Sequence, residues 1–473
     1  WLKRQLLCRV LPHFTGGLAP MKVVRDSKFR HVHGDALKTN FLDVRPSIKA
    51  TESTGIRGNS KFLAISWESG GGGTIAVSPI DRFGRIPRDI PLITGHSGPI
   101  LDFEFNPFDE HMIASCSEDT TVRIWQIPDG GLKAHLREPL MTLEGHGKKV
   151  SFCTFNRCAG NIVASAAFDM KCKIWNIAEQ EEAFNIAMPE QVMSLKWNFN
   201  GSLLAAACKD KKLHIIDPRT SKLVADSKVH DGSKAIKVEW VGSATAADEC
   251  NKIVTTGFSS QAERQIGIWD MRKFSSEGPA EPLNLLVLDQ GTGALYPTYD
   301  PGTNMLYIAG KGDGNVRYFE MTPEDPFIHF ISQYGSTVPQ KGFDFLPKRC
   351  VDVGTHEIMK GLKLESNAVQ LVTFKVPRKS EAFQEDLYPD APASYPAMSS
   401  DEWVGGEEAK VPAMQSMRPG AAGSSPDAAR KAAAAPAVVS MKDLKKQLAD
   451  ALAKIEELEK ENATLKEQLA AKS

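Results

Sequence analysis

The sequence has eight cysteines, but no Cys-x-x-Cys pair and no histidine cluster to complement them. Cys8, Cys116, Cys153, Cys158, Cys172, Cys208, Cys250 and Cys350 are scattered. That pattern argues against a disulfide framework or a zinc ribbon and fits a reduced cytosolic protein with buried thiols. Long apolar runs are also missing: none approaches the roughly 18–20 residues needed to span a bilayer. Charge of one sign is missing too. With 57 basic and 58 acidic side chains, the net charge of −1 gives no electrostatic footprint for nucleic acid. Gly70–Gly73 has neither the Gly-Lys-Ser/Thr nor the following helix of a phosphate loop, and reads as a hairpin loop. The Lys-Gly-Asp-Gly run at 311–314 reads as a β-turn. Glu181 and Glu182 sit in a polar stretch without partners for acid–base work. No metal, cofactor or catalytic constellation emerges, and the expectation is a protein that is not an enzyme.

What the sequence does contain is a repeat. Gly95-His96 leads to Arg-Ile-Trp at 123–125, and Gly145-His146 leads to Lys-Ile-Trp at 173–175. The copies are offset by 50 residues, with 29 residues from His to Trp in each. An Asp lies six residues before each Trp (Asp119, Asp169) and a Ser ten before it (Ser115, Ser165). His96, Ser115, Asp119 and Trp125 are therefore expected to form one hydrogen-bonded brace within a four-stranded blade. His146, Ser165, Asp169 and Trp175 form the second. The pairing of Ser, His and Asp resembles a catalytic triad on paper. The Ser lies in a strand, however, and the set occurs twice, so the structural role is the expected one.

From 21 to 376 the chain alternates short β-branched or aromatic runs with Gly, Asp, Asn and Pro, an all-β pattern. Residues 62–67 and 74–80 suggest the first blade. After the two strong repeats, a third lacks Gly-His but keeps Asp210 six residues before Ile216. A fourth has Glu263 at that place before Trp269, and a fifth has Asp313 before Phe319. At about 50 residues per repeat, this span holds seven blades. Ring closure is expected from pairing of 28–32 with 368–376, which removes two free sheet edges.

Residues 377–406 mix charge with Phe383, Leu387, Tyr388 and Trp403 and are expected to pack on the propeller. Residues 407–440 are rich in Ala, Pro, Ser and Gly and read as a flexible linker. Residues 441–473 carry heptads. Met441, Leu448, Ile455, Asn462 and Leu469 take position a; Leu444, Ala451, Leu458 and Leu465 take position d. This oligomerising coiled coil would run about 50 Å at 1.5 Å per residue. Asn462 favours a dimer, Lys454–Glu459 resembles a trimerisation motif with Lys in place of Arg, and Leu452 leaves room for a tetramer. Residues 1–20 begin at Trp1 and contain no acid; they are read as a non-native or upstream extension, with Met21 as the start.

Several stretches together resemble the coronin family. They are VVRDSKFRHVHG (23–34), WQIPDGGL (125–132), CKDKKLHIIDPR (208–219), GFSSQAERQIGIWD (257–270), GKGDGNVRYFE (310–320), PRKSEAFQEDLYPD (377–390) and EWVGG (402–406). The resemblance implies a seven-bladed WD-repeat propeller with a segment folded back beneath it. It also implies F-actin binding in the cytoplasm and actin cytoskeleton, self-association through 441–473, and the branch-nucleating Arp complex and cofilin as further partners. In the family an Arg in a Tyr-x-Asp-Ile-Arg pattern matters for F-actin; the matching run here is 41–45, which assigns that role to Arg45. Lys28 and Arg30 are secondary candidates. Residues 22–60 hold eight basic and four acidic side chains, a balance suited to an acidic filament surface. The alternative reading is a general WD-repeat scaffold in membrane trafficking or signalling without direct actin binding.

Overall fold

The computed structural model describes residues 26–70, 73–242, 251–274, 278–408 and 410–420, with 454, 455, 458 and 460. These residues form seven β-sheets arranged as a propeller, and a separate two-stranded ladder. In chain order the blades cover 56–93, 100–143, 150–187, 192–228, 237–289, 295–335, and 342–375 completed by 33–42. Within blade 2, Ile100–Phe105 lies innermost, then Met112–Ser117, Val122–Gln126 and, outermost, Met141–Leu143. All its neighbours run antiparallel.

The second strand of each blade is covered on both sides. Met112–Ser117 and Ile162–Ala167 are buried along their whole length. Strands covered on both faces lose the alternation of half-exposed ones, and here small Ala, Ser and Cys side chains let adjacent sheets approach. The core is correspondingly distributed as seven clusters, one between each pair of neighbouring blades. Phe103 and Trp125 of blade 2, for example, pack against Ala64 and Val77 of blade 1.

The ring closes five residues later than the sequence suggested. His33–Leu42, rather than 28–32, forms the outer strand of blade 7, with His33 opposite Lys375 and Leu42 opposite Ala368. Residues 28–31 are a turn that buries Phe29 and Val32. The Ser27 hydroxyl accepts from the Phe29 N–H at 3.1 Å, an ST-turn that competes with strand geometry. The true closing strand is hard to read because its side chains are mostly uncovered: only Phe41 is buried.

Beyond blade 7 the chain crosses one face of the ring. Leu387 and Tyr388 are buried between blades 6 and 7, and the Tyr388 hydroxyl donates to Glu357 O at 2.9 Å. Across the ring, Met398 bridges to Ala159 in blade 3. A short helix, Ser400–Val404, follows, started by Ser399 and Glu402 in a reciprocal capping box. It inserts Trp403, fully buried, against Phe184 and Trp197, with its indole N–H on Gly201 O at 2.9 Å. The chain then doubles back: Met414–Gln415 pairs with Ala391–Pro392, and Met417 joins Leu387 in the core. Residues 410–420, read as linker from composition, are therefore part of this strap. Residues 1–20 lie outside the described residues. So do the heptad positions Leu444, Leu448, Asn462, Leu465 and Leu469. Ile455 and Leu458 are helical and 52% and 51% exposed.

Candidate functional site

Strand direction assigns each described loop to one of two faces. Loops between the second and third strands, and between one blade and the next, lie on one face; the remaining turns and the strap lie on the other. On the first face, Trp125 Nε1–H donates to Ser115 Oγ at 2.8 Å, and Ser115 Oγ lies 2.8 Å from His96 Nε2. His96 Nδ1 lies 2.8 Å from Asp119. Blade 3 repeats this: Trp175 to Ser165 at 2.8 Å, Ser165 to His146 at 2.8 Å, and His146 to Asp169 at 3.0 Å. The chain is self-consistent with one tautomer, in which each His donates from Nδ1 to Asp and accepts the Ser hydroxyl at Nε2. Gly95 is required by packing, because a Cβ there would lie 2.4 Å from the Trp125 ring and 2.6 Å from Arg137 O.

Burial keeps His96 and His146 below the ordinary histidine value, although Asp119 and Asp169 pull the other way. Burial would raise the Asp119 carboxyl, but hydrogen bonds from His96 and Thr121 outweigh it and hold it well below the usual range. Each Ser oxygen is occupied by two partners within its blade, an arrangement that positions loops rather than a nucleophile.

A third brace escaped the sequence reading. His230 Nε2 and Trp269 Nε1 each lie 2.8 Å from Thr255 Oγ1, and His230 Nδ1 lies 3.3 Å from Gln265. Glu263 does not take the Asp role; it bonds to Ser259. In blade 6, Asp313 is reached from blade 5 by Arg264 at 2.8 Å, and the same guanidinium holds Asp289 at 2.5 and 2.7 Å. The spacing of Cys208, Asp210 and His214 shows no metal-ligand pattern in the sequence, whereas folding brings the three side chains of blade 4 within 4.8 Å of one another.

Arg45 lies on the same face as the braces, in the connection from the outer strand of blade 7 to the inner strand of blade 1. Asp43 enters this loop with φ 61°, a left-handed conformation that Asp tolerates. Backbone bonds fix the loop: Val44 N to Asn367 O at 3.0 Å, Glu68 N to Arg45 O at 2.8 Å, and Ser47 N to Ser66 O at 2.8 Å. Further on it crosses to the inner ends of blades 5 and 6. Lys237 Nζ there bonds Glu52 Oε2 at 2.8 Å, and Lys311 Nζ bonds the carbonyls of Ala50, Thr51 and Ser53 at 3.0–3.2 Å. Burial, reinforced by Lys237, lowers the Lys311 amine to about 8. Between these anchors Arg45, Ile48 and Lys49 are exposed, Ile48 by 69%. The guanidinium of Arg45 has no partner among the described residues. A 90 Å³ cavity beside Lys49 and Phe168 has room for a side-chain tip or a few waters, far less than a coenzyme requires.

Lys28 and Arg30 are exposed on the opposite face. They precede the first residue of a 10-residue strand that Arg45 follows. At about 3.3 Å per residue, roughly 30 Å separates the two ends. Lys28 donates to Asp386 O of the strap. The structure thus separates Lys28 and Arg30 from Arg45, and no single small patch contains all three.

Family-level matches cover 22–85 (Domain of unknown function, DUF1899), 89–126 and 137–176 (WD domain, G-beta repeat), 170–243 (Anaphase-promoting complex subunit 4 WD40 domain) and 369–411 (Type of WD40 repeat). A coronin-like protein of Saccharomyces cerevisiae is 38% identical over 417 residues, 86% of this chain. The chain spans 62% of that relative's length. The crystal structure of the WD40 domain from Toxoplasma gondii coronin matches with TM-score 0.77 and 38% identity, over 82% of this chain and 98% of the domain. A chain from the crystal structure of the mitotic checkpoint complex matches with TM-score 0.54 at 14% identity, over 79% of this chain and the whole of that one, a likeness of fold alone. Among the described residues, no helix is long and apolar enough to cross a membrane.

Proposed function

The chain belongs to the coronin family, and on that footing we propose that it binds F-actin through the loop carrying Arg45 and organises filaments as a homo-oligomer. The observation that carries this reading is the state of that loop. Its backbone is tied at both ends, its tip presents Arg45, Ile48 and Lys49 to solvent, and its guanidinium is uncommitted. A preorganised basic and apolar tip loses little freedom on docking, and a basic contact speeds encounter with an acidic filament.

Single propeller contacts of this kind are weak, and the expected coil at 441–473 multiplies them. Tethered sites gain about 10²–10⁴ in avidity where geometry permits. One assembly then crosslinks or bundles filaments and regulates their turnover, with the Arp complex and cofilin as expected partners in that work and the cytoplasmic actin cytoskeleton as its place. The test is co-sedimentation with F-actin at low and high salt, with bundling read at low speed. Wild type pellets and bundles, less so at high salt. Removal of 441–473 abolishes bundling and leaves weaker pelleting. Failure of the wild type to pellet at low salt would leave the propeller as a scaffold for other partners.

A further inference from the structure

Blade 4 departs from its neighbours at two positions on the braced face. Blades 2 and 3 carry Ser117 and Ala167 two residues before the turn Asp, and Arg123 and Lys173 four residues after it. Blade 4 carries Cys208 and His214 at those places around Asp210. The connection into blade 4, at 188–191, supplies no histidine. His214 instead reaches back from its own strand, with Nε2 3.0 Å from Asp210 Oδ2. The Cys208 and His214 side chains are buried, whereas Asp210 is exposed. The second ring nitrogen of His214, Nδ1, is buried without a hydrogen-bond partner among the described residues.

We infer that Cys208, Asp210 and His214 form a binding site for a divalent transition metal, with Zn²⁺ the best-matched ion. A thiolate, an imidazole and a carboxylate are the donor types that Zn²⁺ takes, and three protein ligands leave one position for water. Ligand atoms of a tetrahedral zinc site stand about 3.3–3.8 Å apart, given Zn–N near 2.0 Å and Zn–S near 2.3 Å. The donors here lie within 4.8 Å of one another, so closure requires a shift of at most about 1.5 Å. Asp210 already lies 3.0 Å from His214 and accepts from Lys212 N at 3.0 Å, and its exposed position opens the fourth coordination position to solvent. Binding exchanges the thiol proton for the ion, giving a Zn–S bond and one released proton, so affinity rises with pH.

The experiment uses the full chain, stripped with chelator under reducing conditions, and titrates Zn²⁺ by calorimetry and Co²⁺ by absorbance. Wild type takes up one equivalent, and Co²⁺ gives a thiolate charge-transfer band. Cys208→Ala abolishes that band, and His214→Gln and Asp210→Asn each weaken binding by tenfold or more. Asp210→Asn, at an exposed position, keeps the fold and separates loss of a ligand from loss of structure. Cys350→Ala, in blade 7, leaves uptake unchanged. No stoichiometric uptake by wild type, or equal uptake by wild type and the Cys208, His214 and Asp210 variants, overturns the assignment.

Discussion

On one face of the ring, polar contacts tie the loops, and the braces of blades 2, 3 and 5 each close within one blade and its incoming loop; on the other, one apolar strap ties blades 6 and 7 to blades 3 and 4. His96, Ser115, Asp119 and Trp125 all belong to blade 2 and its incoming loop. Leu387, Met398 and Trp403 belong to none of the blades they fill. The first device sets loop shape locally and leaves loop tips in solvent. The second couples distant blades and covers the surface it crosses. Arg45 stands on the face with free tips, and Lys28 stands beside the strap.

The strap is the place to break this comparison with the largest effect. Trp403→Ala removes a fully buried ring and its hydrogen bond to Gly201 O. A loss of about 3–5 kcal/mol is expected in chemical denaturation, with faster proteolysis after residue 377. The braces on blades 2 and 3 should remain, so the acid sensitivity described below should persist in this variant. Its disappearance would mean that the two faces are one cooperative device.

Ser115→Ala attacks the other face and should cost less, about 2–3 kcal/mol, because it orphans the Trp125 N–H and one nitrogen of His96. The smallest effect is the pH dependence. His96, His146 and His230 lie below the ordinary histidine value, chiefly through burial, so the unfolded chain binds more protons as pH falls. Their stabilisation is complete above about pH 6.5 and declines below it. Asp119 and Asp169 lie below the ordinary carboxylate value, so their share is complete above about pH 4 and declines below it. Denaturation midpoints between pH 8 and 3 check both windows.

The sequence made the braces of blades 2 and 3 legible because four residue types recur at fixed offsets. The brace of blade 5 was hidden by longer spacing: His230 stands 39 residues before Trp269, with Thr and Gln replacing Ser and Asp. The Arg264–Asp313 contact was hidden because it joins two blades and leaves no local pattern. The closing strand is misplaced in the sequence because the buried Phe29 and Val32 of SKFRHV belong to a turn, while the real strand buries only Phe41 and shows no apolar face. Arg45 was placed by resemblance alone; its exposure and the fixed loop beneath it come only from the fold.

The most direct test of the two-face account compares charge reversals across the ring in F-actin co-sedimentation. Arg45→Asp should weaken pelleting tenfold or more, while Lys28→Asp combined with Arg30→Asp should pellet as wild type. Loss of pelleting in the double variant with Arg45→Asp unaffected would place the filament on the strap side and contradict the account.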